Sequence, residues 1–272
     1  MIRTPSKPSP TAFIVVALLA MLALAPVPAH AAPPGALPAA APAPGPSDDP
    51  SDDDAPAKSS RLIVMCDFNR DGIPDMAEAA LPAKNHSGPN YLTLSLGQSD
   101  GTFKPSPLRL VLGHSPKDMV TGDFNHDGIP DLIVGDDDGT LALFVGDGTG
   151  NLLPAGNIAH LASVVSIAVA DFNHDGTPDI AVTDWRTSTV TIFLSAGKGI
   201  FRGASAFPLR MPGTTPHVTA ADFNGDGIPD LAIVYDDDDG GTYDVMLGDG
   251  HGNLTYAPQL SLVKDPNSHC PS

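Results

Sequence analysis

Basic residues are scarce in this chain of 272 residues: 14 Lys and Arg stand against 32 Asp and Glu, a formal charge of −18 at pH 7. No basic patch is available to neutralise phosphates, which excludes nucleic acid as a partner. Tryptophan occurs once, as Trp185, so a sugar site assembled from one aromatic per repeat is missing. Cysteine is limited to Cys66 and Cys270. The uncharged apolar run Ala12–Ala25 falls short of the roughly 20 residues that a membrane-spanning helix needs. Helical periodicity is absent throughout.

That short run reads instead as the core of a signal peptide at residues 1–31. Arg3 and Lys7 precede it, and Ala29-His30-Ala31 follows as a small-x-small cleavage site. No cysteine follows the cleavage site to accept a lipid. The mature chain is therefore expected to be exported, to the periplasm or beyond the cell, with no transmembrane anchor. Residues 32–60 are rich in Pro, Ala and Asp, cannot bury a core, and read as a disordered linker.

What the chain does contain is a repeated nonapeptide: DFNRDGIPD from Asp67, DFNHDGIPD from Asp123, DFNHDGTPD from Asp171 and DFNGDGIPD from Asp222, spaced by 56, 48 and 51 residues. Positions 1, 3, 5 and 9 carry side-chain oxygens in every copy. They are Asp67, Asn69, Asp71 and Asp75; Asp123, Asn125, Asp127 and Asp131; Asp171, Asn173, Asp175 and Asp179; and Asp222, Asn224, Asp226 and Asp230. Position 7 (Ile73, Ile129, Thr177, Ile228) offers its backbone carbonyl, and glycine at position 6 permits a sharp turn. This donor set suits a hard cation, up to four Ca²⁺ in all. Three aspartates are expected to converge in each loop, so twelve of the 32 acidic residues belong to the motif. Position 4 varies (Arg70, His126, His174, Gly225) and is not a required ligand. Position 2 is always Phe (Phe68, Phe124, Phe172, Phe223), which reads as a core anchor beneath the loop.

An EF-hand also opens D-x-N-x-D-G, but closes with a bidentate Glu at position 12, where the second copy has Val134. Proline at position 8 (Pro74, Pro130, Pro178, Pro229) and the β-rich runs after it point to a strand. On these motifs the region from Arg61 to Val263 resembles FG-GAP or VCBS repeats, the β-propeller blades of integrin α-chains and many secreted bacterial proteins. Each unit fits that plan. One strand enters the loop, a second leaves it, a third alternates apolar residues (YLTLSLG, LALFVGD, TVTIFLS, YDVMLGD), and a fourth follows a glycine-rich turn. GDGTG and GDGHG lack the Lys-Ser/Thr of a phosphate-binding loop and are turns.

The resemblance implies an all-β propeller of four blades, at about 61–112, 113–160, 161–211 and 212–264, with a tail at 265–272. Either a closed four-bladed ring or a partial propeller completed by oligomerisation fits. Cys66 stands where the other repeats have Gly122, Ala170 and Ala221, at a strand end. In an oxidising compartment a lone pair of cysteines is expected to be bridged. A Cys66–Cys270 disulfide would fasten the first blade to the last, as in the hemopexin type that a closed ring resembles.

Loops opposite the nonapeptides carry the remaining candidates for a ligand face: His114, Trp185, Arg186, His217 and Tyr243, which do not recur in register. The reading is a calcium-stabilised binding or adhesion-type module for a protein or glycan, without catalysis. Its alternatives are a secreted propeller enzyme acting on polysaccharide or ester, and an interaction fragment that assembles into a larger propeller. Function here leans on resemblance, since one fold serves many functions.

Overall fold

The computed structural model describes residues 61–80, 90–236 and 242–257. The signal peptide, the linker, the C-terminal tail and Cys270 lie outside the described residues, and with them the Cys66–Cys270 pairing. Among the described residues sixteen strands form four sheets, each a four-stranded antiparallel meander in chain order. Blade 1 holds β1 (Arg61–Cys66), β2 (Asp75–Ala80), β3 (Asn90–Gly97) and β4 (Phe103–Leu112). Blade 2 holds β5 (Pro116–Gly122), β6 (Asp131–Asp136), β7 (Thr140–Gly146) and β8 (Leu152–His160). Blade 3 holds β9 (Val164–Ala170), β10 (Asp179–Asp184), β11 (Thr189–Ser195) and β12 (Phe201–Pro208). Blade 4 holds β13 (Thr215–Ala221), β14 (Asp230–Asp236), β15 (Thr242–Gly248) and β16 (Leu254–Tyr256).

Side chains alternate between the two faces of a strand, so a strand buried at every residue must be covered on both sides. This is the case for DLIVGD in β6 and DIAVTD in β10. The cover comes from neighbouring blades. One core cluster joins blades 1 and 2, with Phe68, Leu92 and Leu94 against Leu132, Val134 and Leu152. A second joins blades 2 and 3, with Phe124, Ile133 and Leu143 against Ile167, Ile180 and Phe193. A third joins blades 3 and 4, with Phe172 and Ile192 against Leu231, Ile233 and Met246. Sheets stacked face to face in chain order are the blades of a β-propeller. Among the described residues no cluster joins blade 4 to blade 1.

Hydrogen bonds reinforce these joints. The Ile167 N–H donates to Asp118 Oδ2 across blades 2 and 3 at 2.7 Å. The Thr183 hydroxyl donates to the Pro216 carbonyl across blades 3 and 4 at 2.9 Å. Phe68, Phe124 and Phe172 are buried as expected of anchors. Phe223 departs from that expectation and is only half-buried, because no described blade follows blade 4 to cover it.

Adjacent residues of β8 test the stacking. Leu152 is buried in the cluster between blades 1 and 2, whereas Leu153 faces solvent. Leu152→Ala should lower unfolding free energy by about 2–5 kcal/mol. Leu153→Ala should change it by no more than about 0.5 kcal/mol. Urea denaturation of the two variants side by side checks both values.

Candidate functional site

Each nonapeptide folds into the same turn, and side-chain acceptors hold it. The position-1 aspartate accepts the position-5 N–H at 3.0–3.2 Å and the N–H of the position-6 glycine at 2.8–2.9 Å. The position-3 amide donates to the position-5 carboxylate at 2.8–2.9 Å, and that carboxylate also accepts the position-7 N–H at 2.8–2.9 Å. Thr177 adds its hydroxyl to Asp175 in the third loop. The chain reverses through two left-handed residues. Gly72, Gly128, Gly176 and Gly227 sit at φ near +80°, and position 4 is left-handed too: Arg70 at 61°, His126 at 66°, His174 at 58° and Gly225 at 80°. Position 4 is thus a conformational position. Glycine in the fourth copy was the signal for it.

Two carboxylates and one amide oxygen therefore meet at the surface of each loop, the position-5 carboxylate exposed in all four and the position-1 carboxylate half-buried in the first three. The third aspartate does not join them there. Asp75, Asp131, Asp179 and Asp230 have no solvent exposure. One oxygen of each accepts the N–H of the position-2 Phe at 2.9–3.0 Å, and the other accepts the N–H of Gly97, Gly146, Ser195 or Gly248, at the end of the third strand, at 2.7–3.0 Å. Burial pushes the Asp131 and Asp179 carboxyls up to about 6. Sequence reasoning counted position 9 among the cation's donors and missed this tie. Among the described residues no three His, Cys, Asp or Glu side chains gather into a ready metal cluster. The donor set nonetheless fits calcium, with hard oxygens at positions 1, 3 and 5, a backbone carbonyl at position 7, and a lone pair left on the position-9 oxygen that takes the third strand, the other oxygen of Asp75 and Asp131 being filled by the N–H groups of positions 2 and 3.

The described loops between second and third strands, those of blades 2 and 3, lie at the other end of their blades. They dock on the segments that lead into the blades: Asp137 N–H donates to the Ser115 carbonyl, and Leu209 N–H to the Ser188 carbonyl, both at 2.8 Å. His114 pairs with Asp138 at 3.1 Å. Trp185 is exposed, with the Arg186 guanidinium 5.7 Å from its ring. His217 stands within β13, not on a loop, and shares Val234 as cross-strand neighbour with Tyr243 of β15. Burial draws its imidazole below the ordinary value, against the pull of Asp236. The five candidates thus occupy three places: the blade 1–2 junction, one blade 3 loop, and the sheet of blade 4.

The FG-GAP-like repeat family matches residues 67–134, 123–182 and 178–233. The chain belongs to that family. No curated protein matches it. Among solved structures, β-fructofuranosidase from Schwanniomyces occidentalis with fructosyl-erythritol aligns at 14% identity over 76% of this chain and 47% of that one, with a TM-score of 0.50. The same enzyme with fructose aligns at 14% over 75% and 46%, again at 0.50. Its fructosylnystose complex gives 13%, 75%, 46% and 0.51. The chain spans about half the length of these enzymes, and at such identity the likeness shows the fold alone.

In this FG-GAP-like protein two buried side chains away from the repeat loops each leave one oxygen unpartnered among the described residues. Asp136, at the end of β6, is buried, and its Oδ1 has no hydrogen-bond partner; nor has Oδ1 of Asn90, whose amide donates to the His114 carbonyl at 2.6 Å. Burial, reinforced by the charges of Asp138 and Asp137 and opposed by His114, pushes the Asp136 carboxyl up to about 7. A carboxyl raised on folding contributes fully when protonated, below its unfolded value near 4, and loses that contribution as pH rises through 7. Asp136→Asn should therefore leave stability near wild type at pH 4, and exceed it increasingly up to about pH 8. Urea midpoints across that range check the slope; a constant difference between the two proteins contradicts it.

Proposed function

We propose that the chain is an exported, calcium-stabilised binding module without catalysis of its own, taking a protein or glycan partner in the periplasm or beyond the cell. The observation that carries the reading is the fourfold recurrence of one surface Asp–Asn–Asp oxygen cluster on one backbone turn. Asp123, Asn125, Asp127 and the Ile129 carbonyl would hold the ion in blade 2, backed by Asp131, and their counterparts would do so elsewhere. Calcium supplies charge neutralisation there. Two carboxylates about 4 Å apart repel by about 4 kcal/mol at an effective dielectric near 20, so an empty loop is stressed and a filled one is not. The N-terminal apolar run behind Arg3 and Lys7 supports export.

Extracellular calcium modules bind with dissociation constants of roughly 10⁻⁴–10⁻³ M. Calcium at ten times that constant stabilises the fold by about 1.4 kcal/mol for each filled site. The melting temperature should rise accordingly between excess chelator and millimolar calcium. Asp127→Ala should lower it in calcium and move it far less in chelator, where wild type has already lost the ion. A wild-type melting temperature that is the same in both buffers rules out the calcium reading.

A further inference from the structure

We infer that the two ends of the four-blade arc dock on each other across two copies of the chain. Blade 1 of one copy covers the far face of blade 4 of the other, and the reciprocal contact closes an eight-bladed ring. The template is the joint that already recurs inside the chain. In each inner joint one large aliphatic from the first strand points back at the preceding blade: Met119, Ile167 and Val218, exposed by 4%, 5% and 5%. Register places Ile63 at that position in blade 1, since Ile63 pairs with Glu78 as Met119 pairs with Val134. Ile63 is 51% exposed, its neighbour Met65 48%, and Phe103 42%, the last standing where Leu152 and Leu254 are buried. Three large apolar side chains of one sheet face thus stand open: Ile63 where every other blade buries its residue, Phe103 where the others bury or half-bury theirs, and Met65 beside them.

Blade 4 supplies the receiving half. Phe223 and Val245 hold the places of Phe172 and Ile192, which receive blade 4 within the chain. Phe172 and Ile192 are buried, whereas Phe223 and Val245 are half-buried. The two ends have also changed polarity together. Blade 1 carries Glu78 where the other blades have Val134, Val182 and Ile233. Blade 4 carries His217 at the register position of Ser166, whose hydroxyl accepts the Val218 N–H of the next blade at 3.4 Å. Continued one step further, that register sets His217 against the Ile63–Glu78 pair. Glu78 already pairs with Arg61 at 2.8 Å, and the His217 ring can add a hydrogen bond to that polar pair, which favours the chain's own opposite end over an unrelated apolar partner. Within one copy the two faces do not meet, as the exposure of Ile63 and Met65 records. Two arcs of four make eight blades, within the usual propeller range of about 4–8, and a twofold pair closes without leaving ends to polymerise.

Sedimentation equilibrium of the full chain in calcium should give a mass twice that of one chain. Ile63→Glu and Phe223→Glu should each give monomers with the wild-type circular dichroism spectrum. Met65→Lys and Val245→Lys stand in if either fails to fold. An equimolar mixture of the Ile63 and Phe223 variants keeps one intact head and one intact tail, so it should recover a one-to-one dimer. Three outcomes overturn the proposal: a monomeric wild type, a dimer indifferent to both substitutions, or a dimer broken by only one of them, which marks a head-to-head or tail-to-tail contact.

Discussion

The ninth residue of each loop, an aspartate without solvent exposure, draws backbone amides from two directions, and the blade is built around that convergence. One oxygen closes the loop onto the Phe at position 2, while the other catches the end of the third strand. A buried carboxylate without such donors costs several kcal/mol. The amides offset much of this cost but not all of it, and the carboxyls of Asp131 and Asp179 remain raised. A cation held at positions 1, 3 and 5 favours the ionised form behind it. On the calcium reading, ion and tie therefore strengthen each other, and the loop's surface chemistry is coupled to the pairing of strands one and three.

The same loop joins its blade to the next. Below it the Phe ring enters the core cluster shared with the following blade. Above it, the Phe carbonyl accepts a hydrogen bond from that blade's glycine-rich turn: Gly199 N–H to Phe124 at 3.1 Å, and Gly252 N–H to Phe172 at 3.0 Å. The Ser195 hydroxyl accepts the Gly197 N–H in the blade 3 turn, and aspartates set the turns of blades 2 and 4, Asp147 and Asp249. Despite some desolvation, hydrogen bonds from Thr149 and Asn151 hold the Asp147 carboxyl down to about 2, so it stays ionised and keeps the turn closed. A local motif of nine residues thus does long-range work, because its second residue has both a ring and a carbonyl to give.

Much of this was legible in the sequence because side-chain chemistry leaves few options. Asp, Asn, Asp and Gly at fixed offsets demand a turn lined with oxygens, and apolar alternation after a proline demands a strand. The four-strand plan of each blade followed from those two facts. The partner of Asp131 was not legible, since Gly146 lies fifteen residues away in another strand. Nor could the GDDDGT run reveal which of its aspartates is buried; packing between blades 1 and 2 selects Asp136 and leaves Asp137 and Asp138 at the loop. A proline directly before His217 favours a loop there, yet Pro216 lies within β13 and pairs with Tyr235. Proline is tolerated near the start of a strand, where no ladder donor is needed.

Identical motifs do not carry identical weight when their neighbours differ. Phe124 and Phe223 occupy the same position of nearly the same nine residues, and one is fully buried while the other is half-buried. In stacked repeats the stability of a unit is its own plus that of each joint it shares. Closing the loop of blade 2 or blade 3 also seats a ring in a shared core and a carbonyl against the next turn. Closing the loop of blade 4 does neither within one copy. On the calcium reading, ion affinity must follow that difference, since any free energy released when a loop closes adds to the binding of whatever closes it. The fourth loop is then the weakest site in a single arc and rises toward the others only when its far face is covered, which couples the metal to the joint between copies.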